Sequence, residues 1–200
     1  MLPIVESIIL ANVGVLVPPK PTGRPRVNSG TLLRHMTLVL ESGMSWRQLG
    51  RCQLDNVDFR TVHRHFSSWS ACGVFRTAYN SLLRLYSRRT RRGEFHCIDS
   101  TYVKNIFGID CVGRNPTDRG RNATKVSAIV NDEGVPLSLV AFPGNTSDYN
   151  TVDETIRSCL STPKRGCPMY ADKGYDSARV RDSFRREGYV ERVAESGPID

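Results

Sequence analysis

The sequence predicts an α/β protein in two parts, an all-α part followed by a mixed sheet with flanking helices. Three observations predict it. Up to Arg92 the apolar residues recur at three- and four-residue spacing, which is the period of a helix face. From Arg92-Gly93 onward that period gives way to short β-branched and aromatic runs bounded by Gly, Pro, Asn and Asp. The later elements then arrive in the order strand, strand, strand, helix, strand, helix, strand. The expected division is 1–28 as an N-terminal segment and Pro/Arg linker, 29–92 as a helix-turn-helix-like domain, and 93–200 as the sheet domain.

Two hundred residues, 39% hydrophobic and 24% charged, are enough for a buried core and typical of a globular protein. The charge is less ordinary. Twenty-eight Lys and Arg against 20 Asp and Glu leave a formal +8, with a pI near 9.4. That surplus favours polyanionic partners, nucleic acid before acidic membrane. The six cysteines are scattered, with no C-x-x-C pair and no histidine at zinc-ligand spacing. This argues against a structural zinc site or a disulfide framework and for a reduced protein.

Ile4 to Val17 is strongly apolar. It lacks a basic start, carries Glu6 and runs into Pro18-Pro19-Lys20-Pro21 without a small-residue cleavage pattern. It is also too short to span a bilayer. A helix packed on the first domain is expected, with a weak signal peptide as the lesser alternative. The linker that follows contains Gly23-Arg24-Pro25-Arg26. Arg24 and Arg26 could lie along a phosphate backbone or in a minor groove, or simply be solvated.

Ser29 or Thr31 opens a helix with Leu32, Leu33, Met36, Val39 and Leu40 at helical spacing, stopped by Gly43 as a left-handed cap. Ser45 caps a short turn holding Trp46 and Leu49. Asp58 caps a third helix with Phe59, Val62, Phe66 and Trp69 on one face and Arg60, His63, Arg64, His65 and Ser67 on the other. After Gly73 a fourth helix carries Val74, Phe75, Ala78, Leu82 and Leu85 and leaves through Arg88–Arg92. Short helices, tight Gly turns and one basic face suit a helix-turn-helix-like module. Arg60 and Arg64 are its candidate DNA contacts, against the alternative of a solvated basic face. Trp46 and Trp69 are expected to be core anchors rather than base-stacking residues.

In the second part, strands are expected at Phe95–Val103, Lys125–Val130, Pro136–Phe142, Cys167–Ala171 and Tyr189–Val193. Residues 105–123 form a loop, and helices are expected at Tyr149–Leu160 and Ser177–Glu187. This order is that of an RNase H-like fold, here incomplete. In that fold the first and fourth strands are neighbours, which would bring Asp99 and Asp172 together; the sequence by itself leaves that adjacency open. The chemistry gives a reason for such a pair. Phosphodiester cleavage needs an activated attacking oxygen, a stabilised leaving oxygen and neutralised phosphate charge. Two divalent ions held by carboxylates can supply all three. Mg2+, or Mn2+, prefers hard oxygen ligands and keeps several waters, so two or three acids suffice. Acids at strand ends also cap many turns, so this spacing alone is weak evidence.

The residues say more. Asp99-Ser100-Thr101-x-Val103-Lys104, Gly120-Arg121-Asn122-x-Thr124-Lys125, Gly144-Asn145-x-x-Asp148 and Ala171-Asp172-Lys173-Gly174-Tyr175-Asp176 follow one another in order. They resemble successive blocks of bacterial insertion-sequence transposases of the insertion sequence five type, which carry an RNase H-like DDE domain. Upstream, Gly23-Arg24-Pro25, Glu41 to Leu49 and Val62 to Trp69 resemble that family's DNA-binding region. The resemblance implies that Asp99 and Asp172 are catalytic, metal-binding acids, and that the partner is double-stranded DNA, both transposon ends and target. It also implies that Arg114, Arg119, Arg121 and Lys125 fall where DNA crosses near the site. Asp148 belongs to a family block, but helix capping is its expected job. The family's third acid, a Glu on a helix beyond the fifth strand, has no counterpart. Glu187, Glu191 and Glu195 lie before it or in the wrong element. The sequence therefore reads as the front part of a transposase, truncated or frame-split. Alternatives are a catalytically inactive, repressor-like DNA-binding remnant and an unrelated metal-dependent nuclease. A homo-oligomer is compatible with the family, a membrane is not expected, and the location follows the DNA: cytoplasm and nucleoid, or the nucleus in a eukaryotic host.

Overall fold

The computed structural model describes residues 3–18, 22, 25–52, 54–89, 94–105, 108, 110–159 and 163–194. The chain forms two compact units, Met1–Tyr86 and Ser87–Asp200.

The first unit is helical: α1 (Pro3–Leu16), α2 (Ser29–Ser42), α3 (Trp46–Arg51), α4 (Phe59–Ala71) and α5 (Val74–Arg89). The local signals work as expected. Asn28 caps α2 by accepting from the Gly30 and Thr31 amides, one residue before the predicted start. Gly43 closes it at φ 66°, where a side chain would be strained. Ser45 and Gln48 form a reciprocal capping box on α3, and Asp58 accepts from the Arg60 amide to start α4. Ile9 and Val13 of α1 pack into one cluster with Leu32, Met36, Leu49, Val62, Trp69 and Val74. The N-terminal apolar stretch is thus part of this core. Trp69 is fully buried, and Trp46 packs against Phe66 and edge-on to His63 at 5.3 and 5.2 Å, so both tryptophans are anchors. Leu40, expected on the buried face, stands out to solvent.

The second unit is a six-stranded mixed sheet. Its elements are β1 (His96–Lys104), β2 (Gly113–Arg114), β3 (Asn122–Asn131), β4 (Pro136–Pro143), α6 (Asp148–Arg157), β5 (Cys167–Ala171), α7 (Ala178–Arg186) and β6 (Tyr189–Val193). β3 pairs antiparallel with β1 along one edge and with β4 and the short β2 along the other. β5 joins the far edge of β1 in parallel, and β6 pairs in parallel with β5. This strand order and connectivity are those of an RNase H-like sheet. The two-residue β2 lies inside the stretch expected to be all loop.

Alternation fixes what each face carries. On β3, Ala123, Lys125, Ser127, Ile129 and Asn131 are buried, and their β1 partners on the same face are Lys104, Tyr102, Ser100, Ile98 and His96. Thr155 of α6 donates to Ser127 at 3.0 Å, so α6 covers this face, and α7 packs beside it with Val180 and Phe184 buried. The opposite face carries Asp99, Val103, Leu139, Tyr170 and Val190, all exposed.

Candidate functional site

The acid pair is built by register. β1 and β5 are paired at His96↔Met169, Cys97↔Tyr170 and Ile98↔Ala171. Asp99 is the next residue of β1, and Asp172 is the first residue past β5. Parallel pairing therefore carries the two carboxylates to neighbouring positions, where β5 ends and β1 runs on beside β3. Each is exposed and held locally by its own backbone. Asp99 Oδ1 accepts from the Ser100 amide at 2.7 Å, and Asp172 Oδ1 accepts from the Lys173 amide as the cap of a single 3-10 turn, Lys173–Tyr175. Among the described residues neither acid has a cationic partner, Lys173 included. Two adjacent anions without a counter-charge are a donor set suited to a hard divalent cation. The described residues contain no group of three His, Cys, Asp or Glu placed to hold a metal.

A second set of polar groups lies directly behind the pair. Lys125 of β3 is only 2% exposed, and its ammonium donates to Asp148 Oδ1 at 2.9 Å. Ser100, the residue after Asp99, donates to the same oxygen at 2.5 Å. The other Asp148 oxygen faces Gly174, two residues after Asp172; a Cβ built there would lie 3.5 Å from it. Tyr175 fills the space beneath. Burial pushes its phenol well up, the Asp148 carboxylate pushes it further, and Asp99 adds to this, while the nearby Ser100 and Ser127 hydroxyls pull it partly back. Neither hydroxyl completes a hydrogen bond with the phenol, so the Tyr175 O–H is buried without a partner among the described residues.

Two expectations are corrected here. Lys125 is not a solvated DNA contact: it sits on the buried face, and its charge is spent on Asp148. Asp148 does not cap α6. It is the first helical residue, and its carboxylate points to Ser100 and Lys125 rather than to the helix amides. The N-cap is Ser147, whose buried hydroxyl makes no capping bond. Sequence reasoning gives no role to Ser100, Tyr175 or Thr155. The alternation along β3 is the available signal, since it groups Lys125 with Ala123, Ser127 and Ile129.

Gly144 explains why Asp148 reaches this place. Its amide donates to Ala123 O at 3.1 Å, and a Cβ on it would sit 2.7 Å from both Ala123 O and Gly113 O. Only glycine lets the Pro143–Ser147 turn lie this close to β2 and β3.

Of the candidate DNA contacts, Arg114 lies in β2 and donates to Gly120 O at 3.1 Å. Arg119 adopts φ 51°, and Arg121 lies 3.6 Å from Asp118. All three belong to the segment between β1 and β3. In the first unit, Arg60 and Arg64 are one turn apart on α4 and share its exposed side, with Arg60 over the Phe59 ring. Arg26 and Arg64 meet with His65 in a cleft of about 530 Å3 beside the start of α4. Burial first, then Arg64 and Arg26, hold His65 below the usual imidazole range. Arg24 lies outside the described residues.

The second unit is thus an RNase H-like domain, with Asp99 inside β1 and Asp172 just past the end of β5. A family model described as "Transposase DDE domain" matches residues 90–193, and the chain belongs to that family. Over 95 residues it is 33% identical to the putative transposase for insertion sequence element IS402 of Burkholderia cepacia, covering 44% of this chain and 45% of the relative. It thus spans under half the length of that curated relative. Among solved structures, a piggyBac transposase in a synaptic complex with hairpin DNA shares the fold at a TM-score of 0.55. That match is 12% identical and covers 95% of this chain and 47% of the other. A Mos1 transposase in a paired-end complex is more distant, at a TM-score of 0.35 and 13% identity over 88% of this chain and 61% of the other.

Proposed function

We propose that this chain is the DNA-binding and acid-pair portion of an insertion-sequence transposase, acting on double-stranded DNA at element ends and target. The observation that carries the reading is the β1–β5 register, which sets Asp99 beside Asp172 on the open side of the sheet. Asp99 and Asp172 would hold Mg2+ or Mn2+, which supplies charge neutralisation and an activated oxygen for attack at phosphorus. The protein's own part is to orient the two carboxylates through the Ser100 and Lys173 amides and to leave their approach open. Arg114, Arg119 and Arg121 would guide DNA past the acids. Arg26, Arg60 and Arg64, with Arg24 beside them in sequence, would hold the duplex on the helical unit. Homo-oligomerisation and residence on the nucleoid belong to the same reading. Among the described residues no helix is long and apolar enough to cross a membrane.

A second reading, a repressor-like DNA-binding protein without catalysis, is favoured by one observation. Glu191, the acid at the last strand, is tied to Arg185, and no described residue supplies a third ligand. The purified chain is expected to shift DNA carrying the element's terminal repeats in a gel, with weak or absent strand transfer. Mg2+-dependent strand transfer that is lost in Asp99→Ala would overturn the two-ligand account, and nicking of arbitrary DNA would favour an unrelated nuclease. Affinity should fall steeply with salt.

A further inference from the structure

The Lys125–Asp148 pair sits in a place that stability alone does not explain. A buried ion pair costs about as much in desolvation as it returns, and apolar side chains of the same volume usually serve a core as well or better. Here one carboxylate joins three elements. Asp148 Oδ1 takes Ser100 of β1 and Lys125 of β3, while its other oxygen lies against Gly174 in the turn that follows β5. Ser100 is the residue next to Asp99, and Gly174 is two residues past Asp172. The two arms that present the acids therefore meet at a single point, the Ser100 arm through a hydrogen bond and the Gly174 turn through packing. That point is fixed from the other side by the close Gly144 approach and by the first turn of α6, whose N-terminal dipole favours a carboxylate there. Asp148 is itself no ligand in this arrangement, since Lys125 already neutralises the oxygen it shares.

We propose that Asp148 and Lys125 are positioning residues for the acid pair, setting the separation and orientation of Asp99 and Asp172 through Ser100 and the Lys173–Tyr175 turn. The inference rests on the proposed metal role of those two acids.

The test uses the full 200-residue chain and Mn2+ alone, with binding followed by the loss of the free-ion paramagnetic resonance signal. The wild type is compared with Asp99→Ala, Ser100→Ala and the double variant Lys125→Met/Asp148→Asn, which removes both charges together so that neither is left buried alone. Ser100→Ala cuts one tie and keeps the ion pair, covering the case in which the double variant does not fold. Binding that depends on Asp99 is expected to weaken on the order of tenfold in both tie variants, as for other groups that orient ligands. Amide exchange at Ser100 and Lys173 is expected to speed up in the same variants without metal. Asp99-dependent Mn2+ affinity and amide exchange both unchanged in a folded tie variant would overturn the positioning role alone. Mn2+ binding equal in wild type and Asp99→Ala would overturn the metal reading and the positioning role with it.

Discussion

The two faces of the sheet in the second unit use the same strands for opposite ends. Under α6 and α7 the side chains are closed off, and polar groups pair with one another: Lys125 with Asp148, and Thr155 with Ser127. One residue along on each strand, the other face holds Asp99, Leu139, Tyr170 and Val190 in the open. The sorting is done by the pleat. A charged residue on the covered face has to find a partner and so becomes structural, whereas an acid on the open face stays free for a ligand. Residue type alone says little about which of these a side chain will do.

The contrast can be broken first through packing. Met169 and Tyr170 are adjacent in β5, one fully buried and one 45% exposed. Met169→Ala should cost about 3 kcal/mol in urea unfolding and Tyr170→Ala less than about 1 kcal/mol. Equal losses would mean that the open face is covered in solution. A smaller effect is expected from Asp148→Asn alone. It leaves the buried Lys125 ammonium uncompensated and should destabilise by about 2 kcal/mol. That lies below the usual range for a buried pair, because Asp148 is partly exposed. In a urea titration the Lys125→Met/Asp148→Asn double variant should recover much of that loss; a double variant no better than the single one would argue against the charge account.

The smallest effect concerns acid. His96, on the covered face, shares a 3.0 Å hydrogen bond with the Tyr189 hydroxyl. Burial holds it below the ordinary imidazole value, with Asp132 acting weakly the other way. The unfolded chain therefore binds a proton below about pH 6.5 that the folded one resists, and stability should fall as pH drops through that value. The slope from this group is at most about 1.4 kcal/mol per pH unit. Comparing urea midpoints at pH 7.5 and 5.5, His96→Gln should lose less than the wild type, and parallel losses would assign the acid sensitivity to other groups.

Most elements are legible in the sequence because their signals are local. The 3.6-residue period locates the helices, and Gly43, Ser45 and Asp58 punctuate them where they stand. Asn-Asp-Glu-Gly at 131–134 marks the β3–β4 turn, with Gly134 at φ 76°. What escapes is non-local. No periodicity announces that β5 pairs with β1 rather than with β4. The order of elements raises the expectation that Asp99 meets Asp172, but only the ladder between their strands supplies the register that does it. Lys125 is easily misread because a lysine in a basic stretch looks solvated, although its place in the β3 alternation already puts it inside. Asp148 is misread because an acid at a helix start looks like a cap, and the partner that draws it elsewhere lies 23 positions upstream. β2 is too short for any pattern.

The β1–β5 pairing has a consequence in time. Asp99 and Asp172 are separated by 73 positions (172 minus 99), and the ladder between their strands closes a loop of about that length. Such long-range parallel contacts form late, after local helices and the β3–β4 hairpin. A chain still emerging from the ribosome can pair β1 with β3, but the β5 side of Asp99 stays empty until β5 has been made. The two carboxylates thus come together only once every residue from Asp99 to Asp172 has been made.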